Sequence, residues 1–216
     1  MNQYRFFAKS ILAGFAISLS AYCYATLNGA LIGTLLFSFG LISIVLYEFP
    51  LYTGRAGFIL KTNEVPTLFM TLMGNAIGCF FAATILTLSK SYETPLFIWN
   101  AVNNRSVFGY EDILPIICKA MCCGFIMTTA VNFAKKQDIY GVFASFLPLL
   151  IGVPLFLLCG FFHSIVDAFY LSYSILNPSE GITSNILNGL LGWVVVVLGN
   201  FIGCNLCRII SMDKHI

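Results

Sequence analysis

Charge is the scarcest property of this chain. Lysine and arginine number 11 and aspartate and glutamate nine, 9% of the 216 residues, where soluble domains carry about 25%. A surface so poor in charge cannot face water on every side. Histidine occurs only at His163 and His215. His215 falls in the C-terminal tail, so a metal enzyme built on His163 and Asp167 lacks further ligands. Zinc spacing is missing too, because Cys204 and Cys207 form a Cys-x-x-Cys pair that does not recur. All eight cysteines lie in apolar segments, where the thiol acts as a small hydrophobe. No metal, disulfide or cofactor is expected, and no enzyme activity. A net charge of +2 gives no basic footprint for nucleic acid.

What the chain has is long apolar sequence. Hydrophobic residues make up 59% and mean hydropathy is +0.90. The runs are too long for barrel strands of about 9–11 residues, so the chain reads as an all-α membrane protein. Six transmembrane spans are predicted near 10–27, 30–50, 65–88, 113–134, 142–176 and 184–207. Residues 1–25, with Arg5, Lys9 and the small-residue run Ala21-Tyr22-Cys23-Tyr24-Ala25, also have the outline of a signal peptide. Gly14, the polar residues within it and the apolar segment close behind favour a retained first span.

Two regions do not fit a single crossing. Residues 29–60 are interrupted by Glu48, Pro50, Gly54, Arg55 and Gly57; residues 141–176 contain Gly152, Pro154 and Gly160. About 20 residues suffice to cross a bilayer, so both regions are predicted to be broken helices. They are the second elements of two three-span halves, the arrangement that points to a binding site at the membrane midplane. Met73-Gly74-Asn75-Ala76-Ile77-Gly78-Cys79 is echoed by Leu198-Gly199-Asn200-Phe201-Ile202-Gly203-Cys204. A stripe of small residues also serves close helix packing. With three crossings per half, the repeats (about 10–90 and 111–208 of a single domain, 1–216) must be inverted.

Lys and Arg near the span ends set the orientation. With the N-terminus inside, Arg5, Lys9, Arg55, Lys61, Lys135, Lys136, Arg208 and Lys214 are cytoplasmic, against Lys90 and Arg105 outside; both termini are expected in the cytoplasm. Lys119 stands within the fourth span. Within the fifth region lies Gly160-Phe161-Phe162-His163-Ser164-Ile165-Val166-Asp167. An ionisable group at the bilayer centre costs roughly 2.5–3.5 kcal/mol on insertion scales and marks a pathway or partner, so His163 is the first candidate for function.

Together these residues resemble the formate/nitrite transporter family. Ala13-Gly14-Phe15-Ala16-Ile17 is similar to its opening Ala-Gly motif, and Leu51-Tyr52-Thr53-Gly54 to its Leu-Phe-Thr loop. The His163 segment is similar to its Gly-Phe-Glu-His-Ser-Ile-Ala-Asn signature. The resemblance implies a pentamer of six-span protomers with an aquaporin-like inverted repeat, in the cell inner membrane, passing small anions. It implies that His163 is the central pore histidine, faced by the Thr53 hydroxyl, with Asn200 from the last span. Phe37, Val131 and Phe156 would form the outer hydrophobic constriction, and Leu41, Leu51 and Tyr52 the inner one. The chain departs from the pattern at four places. Pro50 precedes the loop where an acid is usual, with Glu48 two residues earlier. Thr128 takes the place of the span-four asparagine, Asp112 that of an external lysine, and Asp167 that of an asparagine.

The chemistry expected of such a site is simple. A bare anion is penalised in a dry constriction, and a histidine with an unperturbed pKa of about 6.5 can present a donor to it or neutralise it. Asp167, one turn on, either pairs with His163 or caps a backbone group or packs at a protomer interface. Lys119 is left with three roles: snorkelling, pairing with Glu111 or Asp112, or drawing anions to the outer mouth. The expectation is a channel or proton-linked carrier for small monovalent anions, formate first and nitrite or hydrosulfide behind it. The alternative is an aquaporin-like channel for water or small neutral solutes, although the Asn-Pro-Ala signature is absent.

Overall fold

The computed structural model describes residues 2–58, 62–89, 96–136, 141–178 and 186–211. Lys61, Lys90, Lys214 and His215 lie outside the described residues, as do the side chains of Cys207 and Arg208. The described residues form eight α-helices joined by short turns, with no strand among them. They are α1 (Gln3–Thr26), α2 (Leu31–Leu46), α3 (Val65–Leu88), α4 (Leu96–Asn103), α5 (Ile113–Ala134), α6 (Val142–Leu158), α7 (Ser164–Leu176) and α8 (Ile186–Ser211). Four of them, α1, α3, α5 and α8, are long and apolar enough to cross a membrane; α2, α6 and α7 are shorter apolar helices. The flanks carry exposed Leu31, Phe39, Phe69, Ile151 and Leu198, a surface suited to lipid rather than water.

Local chemistry sets several helix boundaries. Asn2 caps α1, its Oδ1 accepting from Tyr4 N–H at 3.2 Å. Pro66 stands in the first turn of α3, where its missing N–H has no intrahelical partner to lose. Several hydroxyls inside the apolar helices are satisfied by the preceding turn: Ser10 donates to Phe6 O at 3.0 Å and Ser18 to Gly14 O at 2.7 Å. This removes the cost of a polar group in hydrocarbon.

Both long regions are broken; Pro50 stands within the first break, but in the second the prolines do not mark it. Pro148 and Pro154 lie inside a continuous α6, and Gly152 packs against Ala130 and Ile126. The helix ends instead at a left-handed residue, Gly160 (φ +65°), with Phe161 N–H bonded back to Phe156 O at 2.9 Å. The end of α2 has the same form. Glu48 takes φ +52° and Phe49 N–H bonds to Ile44 O at 2.9 Å, the six-to-one closure of a helix C-terminus. Helix breaking here is a matter of left-handed backbone, which proline cannot supply.

Two helix pairs form the frame. α1 packs on α3 and α2, α5 packs on α8 and α6, α2 meets α6, and α3 meets α7. In each pair glycine lets backbones touch. A Cβ on Gly78 would stand 2.0 Å from Ile11 O, and one on Gly203 2.0 Å from Met121 O.

Candidate functional site

Asn75 and Asn200 sit at the centre of the two frames, each fully buried, and each spends its whole amide on backbone. Asn200 Oδ1 accepts from Ser164 N–H at 2.8 Å, while Nδ2 donates to Phe162 O and Ala120 O, both at 2.8 Å. Asn75 Oδ1 accepts from Tyr52 N–H at 2.9 Å, while Nδ2 donates to Pro50 O at 2.9 Å and Ser10 O at 2.7 Å. Each amide thus brackets one residue of a broken segment, His163 in one case and Leu51 in the other. Two buried thiols cross over. Cys79 donates to Ile165 O at 3.3 Å and Cys204 to Thr53 O at 3.4 Å.

Held this way, His163 caps α7. Val166 N–H donates to Nδ1 at 3.4 Å, and Nε2 lies 3.0 Å from Thr53 Oγ1. An Nδ1 that accepts a hydrogen bond carries no proton, so Nε2 holds it and donates to Thr53. The ring stacks on Phe156 (centroids 5.7 Å, 30°), and Phe156 meets Phe37 edge-on at 6.0 Å. Trp193 Nε1 donates to Ser164 O at 2.8 Å, bracing the same turn.

Two cavities approach this point. One, of about 570 Å³, is lined by Leu41, Leu51, Val131, Glu48, Arg55 and Lys135 among others. The second, of about 460 Å³, is lined by His163, Phe156, Tyr24, Tyr170, Arg105 and Lys119 among others. Lys119 and Val131 are 12 residues apart on α5, or about 18 Å of helix, so the cavities lie toward opposite ends of the bundle. The Thr53–His163 contact stands between a loop that borders the first cavity and a ring that borders the second.

The candidate residues separate into three groups. His163 and Phe156 line the second cavity, and Phe37 packs behind Phe156. Leu41 and Leu51 line the first, and Val131 joins them there, not Phe37 and Phe156 with which it is grouped above. Tyr52, Thr128 and Asn200 border neither cavity: Tyr52 OH donates to Val197 O at 3.1 Å, and Thr128 Oγ1 reaches Thr53 O at 3.5 Å. They hold the loop and the break in place.

Asp167 pairs with neither histidine nor backbone. Its Oδ1 forms an ion pair with Arg105 Nε at 2.5 Å, with the carboxylate buried and the arginine side chain 16% exposed. Arg105 was expected only as an external charge. It follows α4, a short helix absent from the span prediction although its sequence, Leu-Phe-Ile-Trp-Asn-Ala-Val-Asn, has apolar residues on one face. Lys119 lies over the Phe162 ring, 5.0 Å from its centroid, not on an acid, and Asp112 accepts instead from Phe108 and Gly109 N–H. Among the described residues no three His, Cys, Asp or Glu are grouped to hold a metal.

Long apolar helices with broken segments at their centre, and a buried histidine in the wall of one of two cavities, define a helical membrane protein. The formate/nitrite transporter family model matches residues 1–212, and the chain belongs to that family. It is similar in fold to a solved structure described as a pentameric formate channel with formate bound, with a TM-score of 0.79 and 19% identity over 96% of this chain and 95% of that one. A structure described as a formate/nitrite transporter family ion channel matches with a TM-score of 0.82 and 18% identity over 95% and 88% of the two chains. At such identity the likeness is one of fold. No curated protein matches. The family and both neighbours are transporters and channels rather than enzymes.

Proposed function

We propose that this chain is one protomer of a homopentameric, six-span pore of the cell inner membrane that passes small monovalent anions. Formate is the first substrate, nitrite and hydrosulfide the next. The observation that carries the reading is His163: its ring walls one cavity and its Nε2 meets Thr53 beside the other. An entering anion takes the place of Thr53 as acceptor of Nε2–H, giving it a donor where a bare charge would be penalised. Phe37 and Phe156 on one side and Leu41, Leu51 and Val131 on the other are the apolar constrictions, and Asn200, Thr128 and Tyr52 position the parts that touch solute. Proton linkage has a structural condition. The ring takes a second proton at Nδ1, which breaks its bond from Val166 N–H.

We read residues of about 10–90 and 111–208 as an inverted repeat within one domain. The similar asparagine bonds, thiol crossovers and left-handed helix ends support pairing Ser10 with Ala120, Glu48 with Gly160, and Cys79 with Cys204. The charge count puts the Glu48–Arg55–Lys135 cavity and both termini on the cytoplasmic side.

Purified protein in liposomes is expected to pass formate well above empty vesicles, and His163→Phe to abolish that flux while the protein still assembles. Wild-type vesicles no leakier than empty ones would end the proposal.

A further inference from the structure

Arg105 and Asp167 are joined by nothing in the transport reading, yet they lie in the wall of the cavity that reaches His163. The cavity lining carries two cations, Arg105 and Lys119, and no carboxylate. Both cations lie over the Phe162 ring, Arg105 at 4.5 Å and Lys119 at 5.0 Å from its centroid. Among the described residues Lys119 has no ion-pair partner, whereas Arg105 has Asp167, buried behind it on the first turn of α7. Of the guanidinium's five donors, Nε faces Asp167 and Nη1 donates to Ala101 O at 2.7 Å. The rest of this planar fork, which suits a carboxylate or similarly flat anion, is available to the cavity. Among the described residues Asp167 Oδ2 is buried without a hydrogen-bond partner, as is the hydroxyl of Tyr170 one turn further on, and Arg105 is the carboxylate's one partner there.

We propose that Arg105 is an anion-binding station ahead of His163 and that Asp167 is its built-in competitor, setting how tightly a small planar anion is held there. The proposal rests on the transport reading above and specifies one of its sites. A carboxylate fixed against Nε opposes a second anion on the same guanidinium, so the station recruits solute without trapping it. Conduction needs that balance: binding strong enough for entry and weak enough for departure. Asp167 acts through Arg105 and is a positioning residue; Arg105 is the one that touches solute.

The test is formate flux into proteoliposomes over a concentration series, with formate-dependent thermal stabilisation of the detergent-purified protein as a binding readout. Asp167→Asn keeps shape and removes the competing charge. It is expected to lower the half-saturating formate concentration about tenfold, the scale of removing one unit charge several ångströms from a bound anion. Arg105→Gln strands a buried carboxylate and can fail to fold, so Arg105→Gln/Asp167→Asn, which removes both charges, is measured beside it. The double variant is expected to need at least about tenfold more formate than Asp167→Asn. Half-saturation unchanged in Asp167→Asn, or equal in Asp167→Asn and the double variant, overturns the proposal while leaving the pore reading intact. A wild-type protein that passes no formate and shows no formate-dependent stabilisation ends both.

Discussion

Replacing Asn200 by leucine tests the central mechanical claim, that a single amide holds the break in which His163 stands. Leucine matches asparagine closely in shape but cannot hydrogen-bond. It strands Ser164 N–H, Phe162 O and Ala120 O in a site with no exposure. Interhelical bonds in membranes average about 0.6 kcal/mol and reach about 1.7, so three lost bonds cost about 2–5 kcal/mol. For a chain of this size that lowers the melting temperature by roughly 5–15 °C. The assay is thermal unfolding of the detergent-purified protein, followed by size-exclusion fluorescence.

Asn75→Leu provides the internal comparison, since it loses three bonds of the same kind and length. The two variants are expected to fall by the same amount within about 1 kcal/mol. Thr128→Val forfeits one contact of 3.5 Å, at the limit of a hydrogen bond, and is expected to fall by less than about 2 °C. Function separates the asparagines. Asn200→Leu releases the peptide groups on both sides of His163 and is expected to abolish formate flux, whereas Asn75→Leu disturbs Leu51. An Asn200→Leu protein that melts with the wild type refutes the clamp.

Three further outcomes follow from the geometry. Glu48→Gly is expected to raise stability by about 1 kcal/mol and Gly160→Ala to lower it by a similar amount, because both positions are left-handed and only glycine takes that conformation without cost; melts with the opposite sign would contradict this. Gly78→Ala and Gly203→Ala place a Cβ 2.0 Å from a carbonyl oxygen of the facing helix and are expected to be lost before reaching the membrane, whereas Gly152→Ala, whose nearest neighbours are side-chain methyls at 3.3 Å, is expected to express normally on immunoblots. Phe156→Ala removes the ring stacked on His163 and edge-on to Phe37, and is expected to admit acetate and lactate to vesicles; wild-type selectivity in that variant would remove Phe156 from the constriction.

The sequence carried most of the frame. Repeated Gly-Asn-x-Ile-Gly-Cys segments, two over-long apolar regions and a histidine in the second of them are local signals, and the structure buries both asparagines, breaks both regions and sets His163 at the second break. Their chemistry was less legible. Asn200 enters as a pore residue only through the family resemblance, and its partners are backbone groups of Ala120, Phe162 and Ser164, which no spacing reveals. Pro154 reads as a break and is not one, because the end of α6 is decided by the left-handed turn at Gly160.

Arg105 and Asp167 show where local reasoning stops. A lone acid one turn from a histidine invites an i,i+4 pair, since on an isolated helix those positions are neighbours. Here His163 is not on the helix but at its cap, in extended backbone (φ −114°, ψ 115°), and its ring is turned to Thr53. Asp167, in the first turn, faces the chain that follows α4. Hydropathy assigns that chain to the aqueous side and therefore gives Arg105 no depth. Only folding α4 against α7 brings the arginine down to the buried acid. A charge that seemed to mark the outside of the membrane becomes part of the wall of the cavity that reaches His163, and the acid that seemed to belong to the histidine becomes the reason the arginine can remain there.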